Sequence, residues 1–103
     1  MRREIICGIY KITNPNGKIY IGQSKDCLLR KTNYKGSRCK DQPLLYRSIN
    51  KYGWNNHVFE IIHVCAIQQL NDLEVYYVNF FQTFNSPLGL NLREGGMVNS
   101  KLS

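Results

Sequence analysis

The chain has 103 residues, of which 43% are hydrophobic and 12% aromatic. This length allows one domain with a modest core, and the apolar content is typical of a folded protein and excludes a disordered tail. Lysine and arginine number 14 against 7 acidic residues, giving a formal charge of +7. A polyanion is the natural partner of such a charge, although a purely solubilising role explains it equally well. No apolar run reaches the roughly 20 residues that span a bilayer, and no leader-like segment opens the chain, so we expect a soluble, intracellular protein.

The first predicted element is a β-hairpin. Residues 5 to 13 and 18 to 22 are rich in isoleucine and tyrosine and flank Asn14-Pro15-Asn16-Gly17. Pro15 and Asn16 suit the two central positions of a type I turn, and Gly17 suits the left-handed bulge position that follows. Together they predict a three-residue hairpin loop.

This loop length fixes which residues face each other across the hairpin. It pairs Ile12 with Tyr20 and Tyr10 with Gly22, so both tyrosines project from the same face. A loop of two or four residues would place them on opposite faces. Ordinary cross-strand packing also explains two tyrosines on one face, so this pair alone does not indicate a functional site.

Two helices are predicted after the hairpin. Ser24-Lys25-Asp26 offers an N-cap for a short helix through Arg30, which fades in the polar stretch 31 to 41. Pro43 suits the first position of the second helix, and Gly53 supplies a left-handed stop. Two residues are candidate caps for this second helix, Asp41 and Gln42.

The C-terminal part predicts a strand over 58–65 and a helix over 67–84. The element order is then ββααβα, which predicts an α+β fold with helices packed on a small antiparallel sheet. Viewed down the axis of the last helix, Glu74 lies about 40 degrees from Leu70. It therefore falls inside an apolar stripe that extends about 60 degrees to either side of Leu70. The other members of this stripe are Leu73, Tyr77, Phe81 and Phe84.

A carboxylate inside an apolar stripe calls for a partner, because burying it unpaired costs several kcal/mol. Glu74 should therefore meet a cation, a metal ion or donors such as tyrosine hydroxyls. The alternative is that Glu74 closes a capping box begun by Asn71. We favour the first interpretation, because the helical spacing of apolar residues already includes Ile67 and Leu70. The helix should therefore begin before Asn71, which would then not be its cap.

The cysteines show no metal-binding pattern. The sequence contains no CxxC pair, and we expect all four cysteines to be reduced core thiols. A zinc site of Cys39, His63 and Cys65 can be written down, but its spacing matches no structural zinc pattern.

Gly8-Ile9-Tyr10, Tyr20-Ile21-Gly22, Arg30, the helical Glu74 and Asn91 together resemble the GIY-YIG nuclease family over roughly residues 5–96. The resemblance implies a three-stranded antiparallel sheet flanked by helices, and hydrolysis of DNA phosphodiesters with one divalent metal ion. Two further segments resemble the phage-type, intron-encoded homing branch of the family, 47–53 and 90–96. The resemblance also implies a nuclease domain over 1–96, followed at 97–103 by a polar tail or by the start of a linker to a further DNA-binding region.

The resemblance assigns roles to matched residues. Glu74 would hold one Mg²⁺ or Mn²⁺, Arg30 would bind the scissile phosphate, and Tyr10 is the candidate general base. Tyr20 and Tyr34 would orient water and phosphate, while Asn91 would pin Glu74 or the backbone beside it. The predicted catalytic set is Tyr10, Tyr20, Arg30, Tyr34, Glu74 and Asn91.

Two positions depart from the homing pattern. Tyr34 stands where some homing members carry histidine, and Lys40 where they carry a second one. Tyrosine cannot offer an imidazole that titrates near pH 7. Neither His57 nor His63 falls at a matched position, so we predict structural or surface roles for both.

The expected partner is double-stranded DNA, bound by a monomer, with transient dimerisation for double-strand cleavage left open. Basic residues contact phosphates and carry little sequence information. Two other functions stay open: a non-catalytic nucleic-acid-binding module with the same fold, and a small protein-interaction domain with a basic face. The candidate DNA contacts are Lys25, Arg30, Lys31, Lys35, Arg38, Lys40, Arg47 and Lys51.

Overall fold

The computed structural model describes residues 4–84 and 86–91. The element order is ββααβα, which confirms the predicted α+β fold. None of the helices in this part of the chain is long and apolar enough to cross a bilayer. The elements are β1 (Gly8–Thr13), β2 (Ile19–Ser24), α1 (Cys27–Lys35), α2 (Pro43–Tyr52), β3 (Val58–Val64) and α3 (Leu70–Phe81).

The three strands form one antiparallel sheet in the order β2-β1-β3. In the hairpin, Ile12 pairs with Tyr20 and Tyr10 with Gly22, as the turn sequence predicts. Gly17 has a φ of 82° and donates its backbone N–H to the Asn14 carbonyl at 2.9 Å, which closes the turn. The predicted loop and register are therefore confirmed.

The sheet is covered on both faces, because alternate residues of each strand bury side chains on opposite sides. We call one face the tyrosine face: it carries Tyr10 and Tyr20 and packs against Tyr34 of α1 and Leu45 of α2. We call the other the α3 face: it carries Ile9 and Ile21 and packs against Leu70 and Val78 of α3.

Helix α1 begins where predicted and ends later. Asp26 is its N-cap and accepts a hydrogen bond from the Leu29 backbone N–H at 3.1 Å. The helix does not fade after Arg30 but continues to Lys35. The reason is tertiary: Tyr34, in the last turn, is fully buried in the core of the tyrosine face.

Helix α2 begins at Pro43 and ends at Tyr52, where Gly53 takes a φ of 85°. Gln42 occupies the N-cap position, but its side chain makes no capping hydrogen bond. A 3₁₀ turn over Trp54–Asn56 then leads into β3.

Helix α3 is shorter than the predicted span 67–84. Residues Ile67–Gln69 form a 3₁₀ turn, and Gln82 ends the helix in the left-handed conformation with a φ of 55°. Because the helix begins at Leu70, Glu74 lies in its second turn and cannot close a capping box begun by Asn71. The capping-box alternative is therefore wrong.

The segment after α3 returns to the free edge of β2. Ile19 donates to the Leu88 carbonyl at 3.0 Å and accepts from the Leu90 N–H at 2.8 Å, so residues 88–91 run parallel to β2. The predicted closing residues 92–96 and the predicted tail 97–103 lie outside the described residues.

Candidate active site

Three tyrosines meet at the centre of the tyrosine face. The ring centroids of Tyr10 and Tyr20 are 6.4 Å apart, and the ring of Tyr34 lies 5.8 Å from Tyr10 and 6.5 Å from Tyr20. Two of these residues come from the hairpin and the third from α1, so the register of β1 and β2 and the length of α1 determine the arrangement. The predicted pairing of the hairpin tyrosines on one face is confirmed.

Gly22 makes room for the Tyr10 ring. A Cβ atom at position 22 would lie 2.4 Å from both the Cζ and the hydroxyl oxygen of Tyr10. Tyr10 is paired with Gly22 across the hairpin, so its ring crosses the strand over the glycine. The glycine is therefore required by the close approach of the ring, not by its backbone conformation.

Two hydrogen bonds engage the three hydroxyls. The hydroxyls of Tyr10 and Tyr34 are 2.5 Å apart, and Gln42 Nε2 donates to the Tyr20 hydroxyl at 2.7 Å. The guanidinium of Arg30, one turn before Tyr34 on α1, is near enough to oppose the rise in the pKa of all three phenols. One cation thus lies against the phenol cluster.

Burial in this environment raises the pKa values of the three phenols. Burial raises the pKa of Tyr10 well above its ordinary value; Tyr34 and Tyr20 add to the shift, and Arg30 opposes it. Burial also raises the pKa of Tyr20 well above its ordinary value. The neighbouring Tyr34 phenol and the Glu74 carboxylate add to this rise. All three phenols are therefore neutral at neutral pH.

Tyr34 differs because more of its neighbours oppose the effect of burial. Burial raises its pKa, and the hydrogen bond with Tyr10, the charge of Arg30 and the nearby Gln42 reduce this rise without reversing it. Burial likewise lowers the pKa of Arg30, and the neighbouring Tyr10 and Tyr34 reverse this, so its pKa is raised overall. Arg30 therefore keeps its positive charge despite partial burial.

Exposure divides the site into a buried and an accessible part. Tyr10 and Tyr34 have no exposed surface, whereas Tyr20 is 8% exposed and Arg30 is half-buried. A ligand in solution can therefore contact Arg30, whereas the Tyr10–Tyr34 pair is inaccessible in this conformation.

Glu74 lies on α3 within the buried stripe, as predicted, and is 9% exposed. Its Oε1 accepts a hydrogen bond from Gln23 Nε2 at 2.8 Å, and the same amide group donates to Asn71 at 2.9 Å. Gln23 belongs to β2, three residues after Tyr20, and Glu74 raises the pKa of Tyr20 through its charge. The carboxylate therefore lies at the β2 edge, within electrostatic reach of the phenol cluster.

Asn91 completes this edge of the sheet. Its Oδ1 accepts from the Ile21 backbone N–H at 2.8 Å, and its Nδ2 donates to the Ile21 carbonyl at 2.9 Å. The side-chain amide thus makes the two hydrogen bonds that the backbone of a neighbouring strand would otherwise make to Ile21. Asn91 was predicted to pin Glu74 or the backbone beside it; its side chain instead holds β2 between Tyr20 and Gly22.

Further aromatic rings stack on the phenol rings of Tyr10 and Tyr34. Phe59 of β3 stacks on Tyr10 at 5.0 Å, and Trp54 stacks on Tyr34 at 5.9 Å. Trp54 in turn stacks on His57 at 6.1 Å, with the two planes 8° apart. These contacts restrict the rotation of both phenol rings.

His57 is held by a buried polar network. Its Nδ1–H donates to the Gly53 carbonyl at 2.8 Å, so Nε2 accepts from the Ser48 hydroxyl at 2.8 Å. Asn14 donates to Ser48 at 3.1 Å. His63 contacts Tyr77 on the α3 face through Nδ1, at 2.9 Å. Both histidines therefore have the structural contacts expected from the sequence.

The candidate DNA contacts share one side of the molecule. All of them lie on α1, on α2 or in the loops beside these helices, the layer that covers the tyrosine face. All except Arg30 are exposed. Two contact aromatic rings: Lys31 lies over Phe59 at 5.7 Å, and Lys51 over Tyr52 at 5.3 Å.

A metal ion fits this site only if substrate and water supply most of its ligands. Among residues 4–84 and 86–91, no group of three or more His, Cys, Asp and Glu side chains could hold a metal. Mg²⁺ is often held by one or two carboxylates, with waters and phosphate oxygens completing its octahedron. Glu74 offers one such hard oxygen ligand, so the residues fit a Mg²⁺ or Mn²⁺ completed by DNA and water.

Sequence reasoning missed three contributors to the site: Gln42, Gln23 and Trp54. Gln42 was considered only as a helix cap, yet its amide group reaches Tyr20. Gln23 had a usable signal, because strand alternation places it on the face opposite Gly22, where α3 packs. Nothing local in the sequence indicates that Trp54 stacks on Tyr34, because the two residues meet only in the folded chain.

The fold, a three-stranded antiparallel sheet with helices on both faces, matches the GIY-YIG-like fold. Among solved structures, the chain is similar to the catalytic domain of the homing endonuclease I-TevI, a GIY-YIG protein, with 26% identity and a TM-score of 0.68. That match covers 84% of this chain and 98% of the neighbour. A second structure of the same catalytic domain, with a glutamate replaced by alanine, matches at 23% identity and a TM-score of 0.72. It covers 91% of this chain and 100% of the neighbour. Comparisons with protein-family models and with curated proteins give no match.

Proposed function

We propose that this domain is a divalent-metal-dependent endonuclease that hydrolyses phosphodiester bonds of double-stranded DNA. One observation carries the proposal: a carboxylate in the apolar face of α3 lies at the same strand edge as a buried tyrosine cluster that contains an arginine. The likeness to a homing-endonuclease catalytic domain supports a nuclease. The tyrosine face also carries the basic residues that DNA phosphates require.

The accessible residues would bind the scissile phosphate. Arg30 remains protonated and offers a planar fork of N–H donors, which stabilises the charge that develops on the phosphoryl oxygens. Glu74 would hold Mg²⁺ or Mn²⁺, which supplies Lewis-acid stabilisation of that charge. Gln23 orients the Glu74 carboxylate through the 2.8 Å hydrogen bond.

The phenols would handle the proton of the attacking water. Tyr10 is neutral at pH 7, so it can take a proton from water only after losing its own. Tyr34 would first release its proton to solvent, and Tyr10 would then pass its proton to the Tyr34 phenolate across their 2.5 Å hydrogen bond. Tyr34 is suited to ionise first, because Tyr10, Arg30 and Gln42 oppose the effect of burial on its pKa. Tyr20, held by Gln42, would orient the water. Since Tyr10 and Tyr34 are buried, this step requires the site to open when DNA binds.

Incubation with supercoiled plasmid tests the proposal directly. We expect nicked circles in the presence of Mg²⁺ or Mn²⁺ and none when a chelator is added. Binding to the plasmid without nicking at any metal concentration would favour the non-catalytic binding module. Neither binding nor nicking would favour the protein-interaction domain.

A further inference from the structure

Cys7 and Cys65 face each other at one end of the sheet. Gly8 of β1 pairs with Val64 of β3, so residues 7 and 65 are the next opposing pair. Their backbones are joined by a hydrogen bond from the Cys65 N–H to the Cys7 carbonyl, at 3.0 Å. Directly opposed residues of antiparallel strands project their side chains to the same side.

The side chains of the two cysteines meet on the α3 face. Both pack against the cluster that contains Ile9 and Leu70, and the thiols are near enough for Cys7 to raise the pKa of Cys65. Both are also partly exposed, so a small reagent in solution can reach them. All four cysteines are free thiols, as expected, but this pair lies at the partly exposed edge of its cluster and not in the buried core.

The other two cysteines are placed differently. Cys27 and Cys39 are buried in the core of the tyrosine face, on the opposite side of the sheet. Burial raises the pKa of each thiol to about 11, which keeps both protonated at neutral pH. Cys27 Sγ also contacts the Gly8 carbonyl at 3.6 Å. These thiols are poor competitors for an oxidant, because thiolates are the reactive species.

We propose that Cys7 and Cys65 are a redox-modification site, a dithiol that a small-molecule disulfide such as oxidised glutathione converts to a disulfide between β1 and β3. One thiolate attacks the glutathione disulfide, forming a mixed disulfide and releasing one glutathione thiolate. The second protein thiolate attacks the mixed disulfide at the protein sulfur and releases the other. Two electrons pass from the protein to oxidised glutathione, which leaves as two reduced molecules.

The bond would link two parts of the chain that are distant in sequence. It would close a loop from residue 7 to residue 65 that contains β1, β2, α1, α2 and β3. A long loop loses much of its conformational freedom in the unfolded state, so the oxidised protein should resist unfolding better than the reduced one. This site acts on stability and does not depend on the proposed nuclease activity.

The test is a glutathione redox titration of the reduced, purified protein. Intact mass should fall by two hydrogen atoms, and digestion without reductant should give one linked peptide pair that contains Cys7 and Cys65. Because folding brings the thiols together, the native protein should form the bond at a glutathione ratio at least about tenfold more reducing than the urea-unfolded chain requires. Burial raises the pKa of the Cys65 thiol, so formation should accelerate as pH rises.

Variants provide the matched controls. Cys39→Ser removes a thiol from the other face and should leave the mass loss and the linked peptides unchanged. Cys7→Ser should abolish the internal bond and leave a glutathione adduct on Cys65. The proposal is contradicted if the linked pair in the wild-type protein is Cys7 with Cys27, or if the native and unfolded chains oxidise at the same glutathione ratio.

Discussion

At the scale of single residues, the phenols differ more in their surroundings than in their chemistry. Tyr10 and Tyr34 share a hydrogen bond in the core, and Tyr34 has more neighbours than Tyr10 that oppose the effect of burial on its pKa. The structure gives Tyr34 a bonding partner in Tyr10 and a neighbouring cation in Arg30.

Replacing Tyr34 with phenylalanine should weaken both the fold and the site. The ring can still stack on Trp54, but the buried hydroxyl of Tyr10 loses its partner, which typically costs about 1–3 kcal/mol. Urea unfolding followed by fluorescence measures this loss, because Trp54 is the sole tryptophan of the chain. The exposed Tyr76→Phe is the matched control and should change stability by less than about 0.5 kcal/mol. An unchanged unfolding midpoint for Tyr34→Phe would contradict the hydrogen bond.

Alkaline pH should destabilise the domain from about pH 9 upward. Burial raises the pKa of the Cys27 and Cys39 thiols from 9.0 to about 11. Between these values the unfolded chain releases two protons that the folded chain keeps, so stability is complete below pH 9 and is lost toward pH 11. The expected slope is about 1.4 kcal/mol per pH unit for each thiol. Tyr10 and Tyr20, whose pKa values are also raised, continue the loss at higher pH.

Urea denaturation at a series of pH values measures this slope. Cys39→Ala should remove the contribution of one thiol and flatten the curve between pH 9 and 10. Stability that stays constant across this interval would show that the two thiols are not protonated more strongly in the folded state.

At the scale of elements, the hairpin was predictable and the contacts between elements were not. The turn Pro15-Asn16-Gly17 determines the loop length locally, and loop length determines the register, so the pairing of Tyr10 with Gly22 followed from the sequence. The far end of α1 did not, because the burial of Tyr34 keeps a polar stretch helical. Helix α3 ends early for a similar reason: the residues after Gln82 leave it to pair with the segment that contains Asn91.

Gly22→Ala tests the close approach of the Tyr10 ring to β2. The added Cβ would lie 2.4 Å from the Tyr10 ring and hydroxyl, so the ring must move away from the site. Overpacking of this kind typically costs about 1–3 kcal/mol. Urea unfolding measures the cost, with Gly17→Asn as a control, because asparagine tolerates the left-handed conformation of Gly17 and no atom lies within 4 Å of an added Cβ. A fully stable Gly22→Ala protein would mean that the ring does not cross the strand at this position.

At the scale of the whole molecule, most basic residues lie on one side of the sheet. No lysine or arginine occurs in the sequence between Lys51 and Arg93, the stretch that forms β3 and α3. The basic residues of α1 and α2 therefore lie on the tyrosine face, beside the candidate active site. Composition alone predicted a polyanion partner, and only the fold indicates which face would meet it.

The central claim is that Glu74 is a functional carboxylate, and nicking of supercoiled plasmid in Mg²⁺ by Glu74→Gln tests it most directly. Glu60→Gln is the matched control, because it removes one negative charge from an exposed residue of β3. We expect Glu60→Gln to cleave at the wild-type rate. Glu74→Gln should remain folded and bind the plasmid, with cleavage reduced at least about 100-fold, because a carboxylate ligand of the metal is lost. Cleavage by Glu74→Gln at the wild-type rate would contradict the account.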